Sequence, residues 1–396
     1  MALRLGAEAA QAQDLSALAR IVPGANQVSD LGEAVELTIA MTQGVPYRVF
    51  TLDAPRRLVL DFNELDWTGL NAETFDHSIR IAAVRTGLFR AGWSRMVLDM
   101  AEPLRVEAAM LNTRDPSAAV LQVRLVPTSE TEFLTTAGLP AELRKDRPVA
   151  IETTAPKRRQ SGEGPLVVVL DPGHGGIDPG AEADGTVEAD LMLTFALELE
   201  EALLRAGGFT VVLTRTDDVF VPLETRVSIA RRAGADVFLS LHADALLEGR
   251  AMGATIYTLA EEASDAASQK LAERHDRGDL LAGVDLSAQD DVVASVLMDL
   301  ARTETAPRSD MLADALIEGL SQTTRMHSRP KLSAAFSVLK APDIPSVLIE
   351  LGFLSSPRDR ARITDAKWRK AAAEGIRDAL LGWARTDAAA ARGLRK

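Results

Sequence analysis

Residues 165–180 read PLVVVLDPGHGGIDPG. An unbroken apolar run, Leu166 to Leu170, stops abruptly at Asp171-Pro172-Gly173-His174-Gly175-Gly176. A short run closed by Pro and Gly predicts a buried strand leading into a glycine-rich turn. Ligands of open parallel sheets bind beyond the carboxyl ends of the strands, so an imidazole delivered there is a candidate metal ligand or acid/base.

Toward the C terminus, strand and helix patterns alternate. A helix is predicted over about 189–205 with a Gly207-Gly208 stop, then a strand over 209–214 and a helix over 223–233. A strand over 237–241 ends at His242-Ala243-Asp244-Ala245. Further strands are predicted over 254–259, 336–339 and 346–349, with helices over 311–322 and 365–385. The alternation implies an α/β domain over 165–386, a mixed, mostly parallel sheet flanked by helices, followed by a tail over 387–396.

Toward the N terminus the texture is β. Val35, Leu37, Ile39 and Met41 alternate with other residues, as do Leu58, Leu60 and Phe62, and Leu121, Val123 and Leu125. This predicts a small all-β sandwich domain over 28–127. Residues 128–164, rich in charge, Pro and Ser, are expected to be a linker. Residues 1–27 are expected to be a flexible N terminus or signal remnant. Their Ala-rich AEAAQAQ resembles the cleavage end of a secretory signal without its apolar middle, so an export signal is either trimmed or absent.

A chain of 396 residues is long enough for at least two cores. A formal charge of −13 argues against a nucleic-acid binder. Cysteine is absent, which excludes disulfides and thiolate metal sites. No apolar run approaches the roughly 18–20 residues of a membrane span.

Two histidines, His174 and His242, directly follow buried-strand patterns, and parallel strands bring such ends to one sheet edge. Between them Glu188 opens a helix, where the helix dipole favours a carboxylate. Glu350 follows another apolar strand, a costly place for a charge unless it lies in a cleft or is paired. These are either separate capping and packing residues or one catalytic zinc site. In the second reading His174, Glu188 and His242 are the ligands and Glu350 is the unligated base. His275 and His327 lie in charged surroundings and are expected at the surface, as is His77. Arg226 either salt-bridges internally or meets a substrate carboxylate. Arg85, Phe89, Arg90, Trp93 and Arg95 are either packing residues or a face for an anionic or sugar ligand.

The segments LDPGHGGIDPGA, GTVEADL, VFLSLHADA, MGATIYTL and DIPSVLIELGF, in this order, resemble the zinc-dependent N-acetylmuramoyl-L-alanine amidases of the amidase 3 type, which cleave peptidoglycan. The N-terminal region is similar to the AMIN domain that targets such enzymes to the cell wall. The resemblance assigns zinc, one per chain, to His174, Glu188 and His242, and the catalytic role to Glu350. Two motifs depart from the family pattern, in Glu188-Ala189-Asp190 and in Glu350-Leu351-Gly352-Phe353, without removing a ligand or the base. The resemblance further implies a periplasmic, monomeric enzyme of cell division, with peptidoglycan as substrate and a LytM-type activator as partner. A catalytically silent wall-binding regulator, or a carboxypeptidase or deacylase on the same scaffold, is the alternative.

Between the strand at 254–259 and the helix at 311 lie about fifty residues, too many for a plain connection in a compact α/β unit. Acidic residues crowd the first half, and Val292, Val293, Val296, Leu297 and Leu300 form an apolar stripe in the second. This insert, 261–307, is either a solvated helix plus a packed one or, as the resemblance implies, a plug that places an acidic side chain on the zinc. Glu261, Glu262 and Glu273 are the candidates for that ligand.

Overall fold

The computed structural model describes residues 19–393 except 91, 116–117, 139, 141–158, 246–251, 279–291 and 342. The chain divides into two compact units, Met1–Gly138 and Leu139–Lys396.

The first unit pairs a five-stranded sheet with a four-stranded one. Leu37, Ile39, Leu121 and Val123 of the first sheet and Leu58, Leu60, Phe62, Met96 and Leu98 of the second are buried in one core. Inward-facing residues thus alternate along the strands, as two packed antiparallel sheets require. Two expectations about its edges are corrected. Ala19 and Ile21 are buried in this core, so the described end of the 1–27 segment is folded onto the sandwich. The start of the supposed linker forms a helix, Glu130–Thr136, in which Ser129 caps the Glu132 N–H and Phe133 is fully buried. One aromatic anchor gives no periodic signal in a seven-residue helix. Arg95 and Phe89 belong to packing: Arg95 forms a fully buried ion pair with Asp61 and lies 4.0 Å over the Phe89 ring.

The second unit is built on six strands: β1 (Leu166–Pro172), β2 (Phe209–Leu213), β3 (Val237–His242), β4 (Ala254–Leu259), β5 (Met326–Ala334) and β6 (Ser346–Glu350). Their order across the sheet is β2-β1-β3-β6-β4-β5. All neighbours are parallel except β4 against β6. The helices are α1 (Glu188–Ala206), α2 (Leu223–Ala233), α3 (Ala266–Gly278), α4 (Val292–Ser321), α5 (Pro357–Ile363) and α6 (Ala366–Gly393). Val168, Leu170, Leu239, Leu241, Val347 and Ile349 face one core with α1, α4 and α6. Val169, Phe238 and Leu348 face a second core with α2 and α3. Both faces are therefore covered, which is why the central strands read as unbroken apolar runs.

Three details differ from the sequence reading. The run 336–339 is a buried 3-10 turn at Ser337–Leu339, and the strand lies upstream at Met326–Ala334. A short buried apolar run does not reveal its own conformation by periodicity. The helix expected from 311 begins at Val292, with Pro307 inside it, and the side chains of its apolar stripe lie outside the described residues. The expected tail continues α6 to Gly393, and Asp387 is fully buried there, accepting hydrogen bonds from Arg308 and Arg159. No described helix is long and apolar enough to cross a membrane.

Candidate metal centre

Strands β1, β3 and β6 lie side by side in the sheet, so the residues at their carboxyl ends are neighbours. In this register His242 and Glu350 are Cα partners. His174 sits just beyond β1 in the left-handed region, φ 58°, an uncommon conformation for a residue with a side chain and one that surrounding structure must hold. Two buried guanidiniums hold it. Arg226 donates to the carbonyls of Pro172 and His174 at 2.8 and 2.9 Å, and Arg215 donates to those of Pro172 and Gly173 at 3.0 and 2.9 Å. Arg226 is itself neutralised by buried Asp171 at 2.8 Å, which settles its role as an internal ion pair.

Glu188, the first residue of α1, is fully buried between the two histidines. Its Oε1 accepts from the Ala243 N–H at 2.8 Å and lies 3.1 Å from His242 Nδ1. Its Oε2 accepts from the Ala181 N–H at 2.8 Å and lies 3.4 Å from His174 Nε2. The other His174 nitrogen, Nδ1, is held by Asp178 at 2.8 Å, an arrangement that orients a ligating imidazole. Two glycines leave the space. A Cβ at Gly173 would stand 2.3 Å from the His242 ring, and one at Gly180 would stand 2.7 Å from Glu188 Oε2.

Burial acts to lower the His174 pKa, but Asp178 and Glu188 outweigh it and hold that imidazole well above its usual value. Burial acts to raise the Glu188 carboxyl, and the two histidines outweigh it, holding it well below the usual range. Burial, then His275 and His174, push His242 down to about 4. Burial, with Glu188 and Asp244 adding, raises Glu350 well above the ordinary carboxylate range. The Oε2 of Glu350 accepts from the Asp244 N–H at 3.1 Å, while its buried Oε1 makes no hydrogen bond among the described residues.

A third histidine completes the cluster. Ring nitrogens of His174, His242 and His275 all lie within 4.8 Å of one another. His275, expected at the surface, is only 7% exposed. It comes from α3 in the insert, and its ring centroid is 4.1 Å from that of His242 and 5.4 Å from that of Phe336. Ser268, Leu271, Ala272 and His275 are all buried and share one helical face at i, i+3, i+4 and i+7. That spacing was the available signal, masked by charged neighbours on the outer face. Glu261, Glu262 and Glu273 are all exposed. Glu273 accepts from Gln269, and no described contact joins any of the three to the centre.

The donor set fits a zinc ion: imidazoles and a carboxylate converge, and buried His174 Nε2 has no hydrogen-bond partner among the described residues. His174, Glu188 and His242 would hold the ion, with His275 reaching the same space.

The family profile described as N-acetylmuramoyl-L-alanine amidase matches residues 168–381, and that of the AMIN domain matches 27–125. The N-acetylmuramoyl-L-alanine amidase AmiA of Escherichia coli (strain K12) is 35% identical over 277 residues, which are 69% of this chain and 95% of that protein. The amidase AmiC of Neisseria meningitidis serogroup B is 33% identical over 354 residues, 86% of this chain and 84% of its own length. A profile that covers all the strand ends of this site, and relatives matched over 84% and 95% of their length, place this chain in the N-acetylmuramoyl-L-alanine amidase family, as an AMIN-containing member with a candidate metal centre.

Proposed function

We propose that this enzyme is a periplasmic peptidoglycan hydrolase that uses one zinc ion to cleave the amide between N-acetylmuramic acid and the L-alanine of the stem peptide, and that its insert holds it inactive. The observation that carries the reading is the meeting of His174, Glu188, His242 and Glu350 at adjacent strand ends. Zinc held by such ligands polarises a scissile carbonyl and lowers the pKa of water to about 7.

Glu350 is the proton carrier in this proposal. Burial raises its pKa well above the ordinary carboxylate range, which makes it a stronger base toward a water proton. Its Oε2 is fixed by the Asp244 N–H, leaving Oε1 to take the proton of water and pass it to the departing nitrogen. Glu188 and Asp178 fix the two imidazoles, so the ligands need no rearrangement before reaction.

Autoinhibition is supported by what stands at the centre. His275 of α3 packs against both imidazoles proposed as ligands, its ring centroid 4.1 Å from that of His242 and 5.8 Å from that of His174. The blocking side chain is His275 instead of one of the three glutamates. Opening then requires α3 to be drawn off, the task of a LytM-type activator at the cell wall during division, with the AMIN unit targeting the enzyme there. The test is hydrolysis of purified peptidoglycan by the full chain carrying His275→Ala, with and without Glu350→Gln. Loss of turnover on adding Glu350→Gln at unchanged zinc content is expected. Retained turnover would overturn the assignment.

A further inference from the structure

We infer that Asp244 is a catalytic residue, which receives the amine as it leaves, and that Arg274 and His275 of α3 occupy that amine's place in the closed enzyme. The inference rests on the proposed reaction and adds to it a residue with no assigned role.

Asp244 is only 2% exposed. Its backbone is fixed at both ends: its N–H donates to Glu350 Oε2 at 3.1 Å, and its carbonyl accepts from the Leu354 N–H at 2.8 Å. The residue is therefore tied through its backbone to the proton carrier. A third buried carboxylate in the same site as Glu350 and Glu188 is costly unless positive charge or donors meet it. In the closed enzyme these come largely from the insert. Arg274 Nη1 lies 2.6 Å from Asp244 Oδ1, and His275 Nε2 lies 3.3 Å from Asp244 Oδ2 and 3.8 Å from Glu350 Oε1. Asp244 Oδ2 makes no hydrogen bond among the described residues.

Withdrawal of α3 takes both side chains away and leaves the Asp244 charge without them. Amide hydrolysis supplies a replacement at that place. Water adds to the carbonyl carbon, the C–N bond breaks, and the nitrogen takes the proton that Glu350 removed from the water. The leaving group is the α-amine of L-alanine, which becomes an ammonium by taking the second proton of the water, released as the new lactyl carboxylic acid ionises. Asp244 accepts a hydrogen bond from that nitrogen as positive charge develops on it, the stage at which a charged partner contributes most. The insert thus places an imidazole nitrogen and a guanidinium where the product's ammonium belongs.

A plain latch is the competing role. Neutralising Asp244 releases the insert in either role, so Asp244→Asn in the otherwise unaltered full chain does not separate them. The decisive comparison uses the full chain carrying Arg274→Ala and His275→Ala, where no anchoring remains. Adding Asp244→Asn, which keeps an acceptor for the Ala245 N–H, is expected to lower kcat about 100-fold with zinc content and unfolding temperature unchanged. The second readout is binding. A stem peptide with a free L-alanine amine should bind the Arg274→Ala, His275→Ala protein at least about tenfold more tightly than its N-acetylated form, and Asp244→Asn should abolish that preference. Activity within threefold of the parent, or an unchanged preference for the free amine, overturns the inference while the hydrolysis itself stands. Absence of muramoyl-alanine cleavage in the parent would instead overturn the proposed function.

Discussion

His242 and Glu350 are Cα partners at the ends of two adjacent parallel strands, β3 and β6. The register sets a candidate ligand imidazole beside a carboxylate raised by burial, with no loop needed to bring them together. Sites carried on paired strands hold their geometry better than sites on loops.

Replacing His275 with alanine in the full chain removes the side chain that fills the centre. Basal release of wall fragments should rise about tenfold, a shift of about 1.4 kcal/mol in the opening equilibrium. Glu261→Ala, Glu262→Ala and Glu273→Ala should change it less than twofold, because these residues are exposed. The reverse ranking in a dye-release assay would return the blocking role to a carboxylate.

Asp178 fixes the His174 ring through Nδ1 at 2.8 Å. Asp178→Ala should weaken zinc affinity 10- to 100-fold, roughly the cost of removing such a partner. Competition against a fluorescent chelator measures it directly. An unchanged affinity would show that the turn alone orients the ring.

Gly180 combines φ 70° with a position where a Cβ would stand 2.6 Å from the His174 ring and 2.7 Å from Glu188 Oε2. Gly180→Ala should therefore lower zinc occupancy while the unit remains folded by circular dichroism. Gly164→Ala, where nothing lies within 4 Å, is the matched control and should leave occupancy unchanged.

Asp387 ties Arg159 to Arg308 from the last turns of α6. Burial acts to raise its pKa, but the hydrogen bonds and charges of both arginines outweigh it, so the folded value lies below the ordinary 3.8. A depressed folded pKa contributes stability that is fully present above the unfolded value and lost as pH falls through the folded one. Asp387→Ala should cost about 3 kcal/mol at pH 7, with the difference from the parent shrinking below about pH 4. Denaturant unfolding at both pH values tests the sign.

What was legible in the sequence follows from burial. His174, His242 and Glu350 stood out because each ends an apolar run, and a strand covered on both faces writes its limits plainly. Glu188 was legible through its place at a helix start. His275 was not, because one buried face of α3 carries only Ser268, Leu271, Ala272 and His275 among charged neighbours, a weaker pattern than a central strand. Strand β5 was missed for a related reason. It lies at the sheet edge, where Arg329, Pro330 and Lys331 are tolerated because one side of the strand has no partner strand. The buried Asp387 was hidden because its partners, Arg159 and Arg308, are distant in sequence.

The most direct measurement is mass spectrometry of the fragments released from purified peptidoglycan by the full chain carrying His275→Ala, alongside zinc content, with Glu350→Gln as its partner. Stem peptides beginning with a free L-alanine amine, glycan strands bearing free lactyl carboxylates on their N-acetylmuramic acid residues, one zinc per chain in both proteins and no release by the Glu350→Gln protein are expected. Cleavage at any other bond, or release that survives Glu350→Gln, would contradict the proposed chemistry.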